Sequence, residues 1–205
     1  MKIFLSIVLF VSIAFADAFD DGVKAYNQGD YKKASEYFTL AANQGYASAQ
    51  YNLGLLYANG QGVRQDYKKA REYYTLAANQ GDASAQLNLG VLYAKGQGVR
   101  QDYKKASEYY ILAANQGDAF AQYNLGLLYN KGQGVRQDYK KAREYYILAA
   151  NQGYSSAQLN LGILYANGQG VRQDKRKAKE FFGKACDNGV ENGCKYYKRL
   201  NEEGF

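Results

Sequence analysis

Histidine, proline and tryptophan are all missing from this chain of 205 residues, which has one methionine and two cysteines. Without histidine, the commonest acid–base group near neutral pH and the commonest metal ligand are both gone. No Ser is followed three places later by Lys, and neither a Ser-Asp-Asn nor a Lys-Thr-Gly triplet occurs. Phosphate-loop spacing and a Cys-x-x-Cys pair are absent too. Acylation through a Ser–Lys pair, a Ser-His-Asp set, zinc hydrolysis and dithiol redox chemistry therefore lack their residues. The expected catalytic set, metal set and cofactor are none. After the first 16 residues no stretch is apolar and long enough to span a bilayer, which takes about 20 residues.

What the chain does have is a repeat. Residues Tyr46–Gly81, Asp82–Gly117, Asp118–Gly153 and Tyr154–Gly189 are four versions of one 36-residue segment. A strict period in this range, with two amphipathic segments per copy and Gly-rich turns between them, predicts a stacked helix-pair solenoid. Such folds usually bind rather than catalyse. The 22 tyrosines, with abundant Ala and Leu, supply enough apolar area for a continuous core.

Before the repeats, Lys2 precedes an apolar run from Ile3 to Phe15 and small residues at Ala14, Ala16 and Ala18. This reads as a signal peptide over 1–16, cut after Ala16 or Ala18. The run is too short for a comfortable span, so no stable membrane insertion is expected after cleavage. The mature chain is expected to be secreted or periplasmic. It remains basic, because of a net charge of +7 only Lys2 lies in the leader.

In the copy from Tyr46, residues Ala49, Leu53, Leu56 and Tyr57 recur three and four apart and define a first helix, helix A. Gly60 and Gly62 break it within the loop GQGVRQ, and Asp66 is placed to cap the next helix. Helix B follows, with Ala70, Tyr73, Tyr74 and Ala77 on one face, until Gly81 closes the unit. Residues 17–45 form a shorter pair without the inserted loop, and 190–205 add a capping helix rich in Lys and Arg, for about eleven helices in all.

The string NLGLLYANGQGVRQDYKKAREYY, with Gly54, Tyr57, Gly60, Gly62, Val63, Asp66, Ala70, Tyr73 and Tyr74, resembles the Sel1-like repeat, and the opening AYNQGDYKKASEYFTLA resembles a tetratricopeptide repeat. The resemblance implies an all-α fold, an alpha/alpha superhelix of about five and a half helical hairpins. The segment KACDNGVENGCKYY is similar to the secreted Helicobacter cysteine-rich proteins, whose Sel1-like repeats each carry a disulfide at this spacing. That resemblance implies a bond between Cys186 and Cys194, and an even cysteine count in an exported chain favours it. In the other copies Ala42, Ala78, Ala114 and Ala150 stand at the first cysteine position, and Gln50, Gln86, Gln122 and Gln158 at the second. The same family is described as penicillin-binding proteins with weak beta-lactamase activity, so a penicillin-binding or weak beta-lactamase function is the implied alternative to a scaffold.

Differences between copies form one helical stripe on helix A: Ser48/Ser84/Phe120/Ser156, Tyr51/Leu87/Tyr123/Leu159, Leu55/Val91/Leu127/Ile163 and Asn59/Lys95/Lys131/Asn167. In related solenoids helix A lines the concave surface, so this stripe is the expected groove for an exported protein or an extended peptide. Beside it runs an unvarying ladder, Asn52, Asn88, Asn124 and Asn160. Its amides either hold a bound backbone or bond the chain's own scaffold. The expected groove is therefore Ser48, Tyr51, Asn52, Leu55, Leu87, Asn88, Phe120, Tyr123, Asn124, Leu159 and Asn160. A basic edge of Arg64, Arg100, Arg136 and Arg172 with the adjoining Lys pairs either attracts anionic partners or is a solvated edge whose charge Asp66, Glu72 and their equivalents locally offset. Nucleic acid is not expected as a partner, and a monomer is.

Overall fold

The structure, a computed structural model, describes residues 18–205, and the expected leader over 1–16 lies outside them. Eleven helices and no strand occur among the described residues. They are α1 over 18–27, α2 Tyr31–Asn43, α3 Ala47–Asn59, α4 Tyr67–Asn79, α5 Ala83–Lys95, α6 Tyr103–Asn115, α7 Ala119–Lys131, α8 Tyr139–Asn151, α9 Ser155–Asn167, α10 Lys175–Asp187 and α11 Glu191–Glu202. The fold is all-α, a repeat of helix pairs in which α3, α5, α7 and α9 are A helices and α4, α6, α8 and α10 are B helices. Two compact units divide the chain, Met1–Gln101 and Asp102–Phe205.

Local chemistry sets the helix ends. Asp66 caps α4 by accepting from the backbone N–H of Lys68 at 2.9 Å and of Lys69 at 3.1 Å, and Asp138 does the same for α8 with Lys140 and Lys141. Helix α3 stops at Gly60, where φ is 68°, in the left-handed region that glycine enters without a Cβ penalty.

In the first unit the core is built from Ala25, Ala34, Phe38, Ala41, Ala49, Leu53 and Leu56, all nearly inaccessible. The second unit repeats the recipe with Ala142, Tyr146, Ala149, Ala157, Leu161, Leu164, Ala178 and Phe182. Alanine at the contact points lets the helices of a pair approach closely. One ring per pair then fills the space over a glycine on the facing helix. A Cβ on Gly54 would lie 2.6 Å from the Tyr74 ring, and one on Gly126 would lie 2.4 Å from the Tyr146 ring. The same slot holds Phe38 over Gly22 and Phe182 over Gly162.

A second glycine contact ties each repeat to the one before it. In the first unit Gly98, at φ +65°, sits so close to the start of α4 that a Cβ there would meet the Tyr67 carbonyl carbon at 2.5 Å. In the second unit Gly170 sits on Tyr139 in the same way. Arg71 Nη1 donates to the Gly98 carbonyl at 3.4 Å and Arg143 Nη1 to the Gly170 carbonyl at 3.0 Å, which fixes the seat from the B helix.

Candidate interaction surface

Tyr51, in the middle of α3, is half-buried, with its ring centroid 6.0 Å from that of Tyr74. Burial pushes its phenol above the ordinary value, and Ser84 and Asn88 on the next A helix pull the other way. The second unit holds the same trio: Tyr123 is half-buried and raised by burial, with Asn160 and Ser156 pulling the other way. Hydroxyls of one A helix thus face the Ser and Asn side chains of the following one.

The remaining ladder amides turn inward along their own helix. Asn52 Nδ2 donates to the Ser48 carbonyl at 2.8 Å and Asn124 Nδ2 to the Phe120 carbonyl at 2.9 Å. Asn52 and Asn124 thus bond their own helix, Asn88 and Asn160 face the tyrosine of the preceding A helix, and each amide retains further hydrogen-bonding capacity. Leu55, Leu87 and Leu159 are partly exposed, while Ser48 and Phe120 are exposed. Phe120 is the outlying member of the stripe: it is 41% exposed and packs edge-to-face on Tyr154, with ring centroids 5.9 Å apart. Tyr123 lies 4.9 Å from the same Tyr154 ring. An apolar ring held at the surface by Tyr154 is unusual on a chain whose other A helices carry Ser there.

On the loop side, clefts open at the start of the B helices. One of about 620 Å³ lies among Tyr57, Arg64, Gln65, Asp66, Lys68 and Lys69 in the first unit. In the second unit a cleft of about 670 Å³ has Tyr129, Arg136 and Lys140 in its walls, and one of about 590 Å³ has Tyr165, Arg172 and Lys177. Lys69 Nζ stands 5.0 Å from the Tyr57 ring centroid, Lys141 Nζ 5.2 Å from that of Tyr129 and Lys177 Nζ 4.9 Å from that of Tyr165. Gln65 holds the loop by donating to the Ala58 carbonyl at 2.8 Å.

Asp66, expected to offset this charge, feels Lys69 and Lys68 and also serves the helix start. The Asp66 carboxylate is occupied by the helix cap, and its backbone bond from Lys69 is the main reason it is held below the usual carboxylate range. Among the described residues the ion pairs Lys175–Glu203, Lys184–Glu180, Lys198–Glu202 and Arg199–Glu203 all fall at the C-terminal side of the second unit. Arg64, Lys68, Arg136 and Lys140 take part in none of them.

Two features went unread in the sequence. Leu40, Leu76, Leu112 and Leu148 on the B helices are each nearly half exposed. Their signal was an apolar residue lying off the Ala–Tyr face. The second feature is the buried glutamine that follows each helix-B turn. Gln50 Nε2 donates to the Ala42 carbonyl at 3.2 Å and Gln122 Nε2 to the Ala114 carbonyl at 3.3 Å. Gln80 and Gln152 donate in turn to the oxygens of Gln50 at 2.8 Å and Gln122 at 2.9 Å. At the same register in the last hairpin, Cys186 and Cys194 form a disulfide with Cα atoms 4.5 Å apart.

Among the described residues no group of three or more Cys, Asp or Glu could hold a metal ion, and no helix is long and apolar enough to cross a membrane.

Five consecutive segments, 17–46, 47–82, 83–118, 119–154 and 155–190, match the Sel1 repeat family. HcpE of Helicobacter pylori, a provisional beta-lactamase by name, is 46% identical over 43 residues, covering 21% of this chain and 12% of that protein. A protective antigen of uropathogenic Escherichia coli displaying an SLR fold superposes with a TM-score of 0.89 at 31% identity, over 93% of this chain and 42% of the other. A Sel1 repeat protein from Oxalobacter formigenes gives 0.75 at 38% identity, over 83% and 49%. Helicobacter pylori cysteine rich protein B gives 0.50 at 29% identity, over 63% and 93%. The chain thus spans about an eighth of the curated relative and under half of the first two solved ones.

Proposed function

The chain belongs to the Sel1 repeat family, and on that premise we propose that it is an exported scaffold that captures a protein or an extended peptide along its A helices. Repeat arrays of this kind use extended faces rather than clustered catalytic groups. The observation that carries the reading is Phe120, an exposed ring pinned by Tyr154 within the stripe that varies between copies. Aromatic residues held rigid at a surface contribute most of the energy of many interfaces. The partner's contact set on the second unit is Phe120, Tyr123, Asn124, Leu159 and Asn160, and on the first Ser48, Tyr51, Asn52, Leu55, Leu87 and Asn88. Export is supported by the leader expected over 1–16, by the Cys186–Cys194 disulfide and by the likeness to a cysteine-rich protein.

Crosslinking followed by pull-down from the native extracellular or periplasmic fraction tests the reading. Phe120→Ala is expected to weaken capture at least about tenfold, as loss of an interface anchor does. Capture unchanged by Phe120→Ala and by Tyr123→Ala would sink it. The name of HcpE favours a second reading, hydrolysis of a beta-lactam ring, which rests on similarity to 12% of that protein. No Ser–Lys pair or zinc set in this chain supports such chemistry. Nitrocefin turnover is expected to equal that of a heat-treated control, and any excess would favour the second reading.

A further inference from the structure

The loop-side clefts share three cations and one aromatic wall. Arg64, Lys68, Lys69 and Tyr57 in the first unit correspond to Arg136, Lys140, Lys141 and Tyr129 in the second. Three facts make these clefts more than solvated charge. Their carboxylate, Asp66 or Asp138, is turned onto backbone N–H groups of the helix start. Their cations make no ion pair among the described residues and outnumber the one carboxylate in the lining three to one, so each cleft keeps a net charge of about +2. The third cation is held over a tyrosine face rather than left on a free stem. This gives the ammonium a fixed place from which to meet an incoming anion.

The last B helix shows how this chain itself answers cations beside the third cleft, at the registers of Tyr139 and Arg143. Lys175 Nζ is 2.9 Å from Glu203 Oε2 and 4.6 Å from the Phe205 ring centroid. Lys179, at the register of Arg71 and Arg143, donates to the Phe205 carbonyl and, at 2.7 Å, to Asn201 Oδ1. Carboxylate, carbonyl and ring come together from one short peptide segment, residues 201–205. The inner clefts have Gly98 or Gly170 where Phe205 stands, and no such acidic segment.

We propose that the clefts at Arg64–Lys69 and Arg136–Lys141 are binding sites for an acidic peptide segment of the partner protein, each cleft taking carboxylate side chains on its Arg and Lys pair. This rests on the reading of the chain as a protein-binding scaffold, and it names a second surface and its chemistry. The partner touches the A helices through apolar contacts and the loop edge through Asp or Glu.

The test uses the full chain and a fluorescein-labelled hexaglutamate peptide, with hexaglutamine as control, read by anisotropy. Hexaglutamate is expected to bind saturably and hexaglutamine not to bind. Affinity should fall at least about tenfold as salt is raised from low to physiological strength, because these cations are exposed and screened. Combined Lys68→Ala, Lys69→Ala, Lys140→Ala and Lys141→Ala substitution should weaken binding at least about tenfold. Removing the same charge at Lys24, Lys184, Lys195 and Lys198 should change it less than about threefold. Equal loss in the two sets would reduce the effect to net charge and overturn the proposal, as would equal binding of hexaglutamine or no binding at all. Tighter binding of a sulfated dextran with the same Lys dependence would overturn the assignment to a peptide. Partner capture that Phe120→Ala abolishes but the cleft substitutions leave intact would overturn the cleft proposal alone and leave the A-helix reading standing.

Discussion

The inner hairpins and the last one close the same gap with different bonds. Between α6 and α7 a buried Gln122 donates to the Ala114 carbonyl and accepts from Gln152. Between α10 and α11 the two positions are Cys186 and Cys194, covalently joined. α7 packs between the B helices α6 and α8, so a neutral hydrogen bond worth about 1 kcal/mol is enough to fix the turn. α11 packs on α10 as the last of the described helices, and there the link is a bond that constrains the unfolded chain as well. Similar substitutions follow along α10. The buried ring is Phe182 where α8 has Tyr146, and Lys184, paired with Glu180 at 2.6 Å, replaces the exposed Leu148.

The largest expected effect tests what the two kinds of repeat share. Gly126→Ala and Gly162→Ala would each drive a methyl group to 2.4 Å from the ring on the facing helix. Each is expected to cost about 3 kcal/mol in urea unfolding, at the upper end of overpacking effects. A much smaller loss at either position would show that the ring can swing away and that the ring-on-glycine lock is not common to both. Next comes the staple. Cys186→Ser with Cys194→Ser is expected to cost about 2.5 kcal/mol for a nine-residue loop, matched by adding reductant to the unaltered protein. Gln122→Ala should cost about 1.5 kcal/mol, because it leaves polar groups unpaired in a buried place. Equal costs would remove the distinction between the two closures.

A smaller effect of opposite sign separates the ring slots. Tyr146 is fully buried, its hydroxyl has no hydrogen-bond partner of good geometry, and burial pushes the phenol strongly up against weak relief from Asn160 and Asn130. Phe182 already fills the equivalent slot, so Tyr146→Phe is expected to raise stability by about 1 kcal/mol. The pH dependence follows from the same phenols. Tyr74, Tyr110 and Tyr146 all have folded values above the unfolded one, so the folded state binds the more protons at high pH. The contribution of these phenols should be level below about pH 10 and stability should fall as pH rises beyond it. Melting curves across that range should show a shallower fall in the Tyr146→Phe protein. Smallest of all, Leu148→Lys puts a cation four residues after Glu144, as Lys184 stands to Glu180. It is expected to stay within about 0.5 kcal/mol of the parent.

Much of this was readable in the 36-residue period. Spacings of three and four put Ala49, Leu53, Leu56, Ala70, Tyr74 and Ala77 in the core, and the glycine breaks and Asp66 marked the helix ends where they occur. The all-α repeat and the eleven helices follow from these signals because helix periodicity and turn chemistry are local. What stayed out of reach was set by neighbours in space. Asn88 and Asn160 recur at one position of the copies, and only the fold sets them beside the Tyr51 and Tyr123 phenols of the preceding A helix. Gln50 and Gln122 register as cysteine replacements, but nothing in their spacing reveals that they bond a carbonyl across the turn. The Asp66 carboxylate, expected to offset the Lys pair, caps the helix as well, a second use that its position before Lys68 and Lys69 allows. The sequence counts charges, and only the fold shows which atoms they face.

The seat of Gly98 on the start of α4, and of Gly170 on the start of α8, has a consequence for how such a gene can grow. A loop that fits against the main chain of the helix before it needs no particular side chain there, so every 36-residue block carries a socket any other block can fill. Copying or deleting a whole block leaves the joints intact, whereas an insertion of any other length leaves one loop without its seat. Array length is then free to drift in steps of one block, and the surface offered to a partner lengthens or shortens with it.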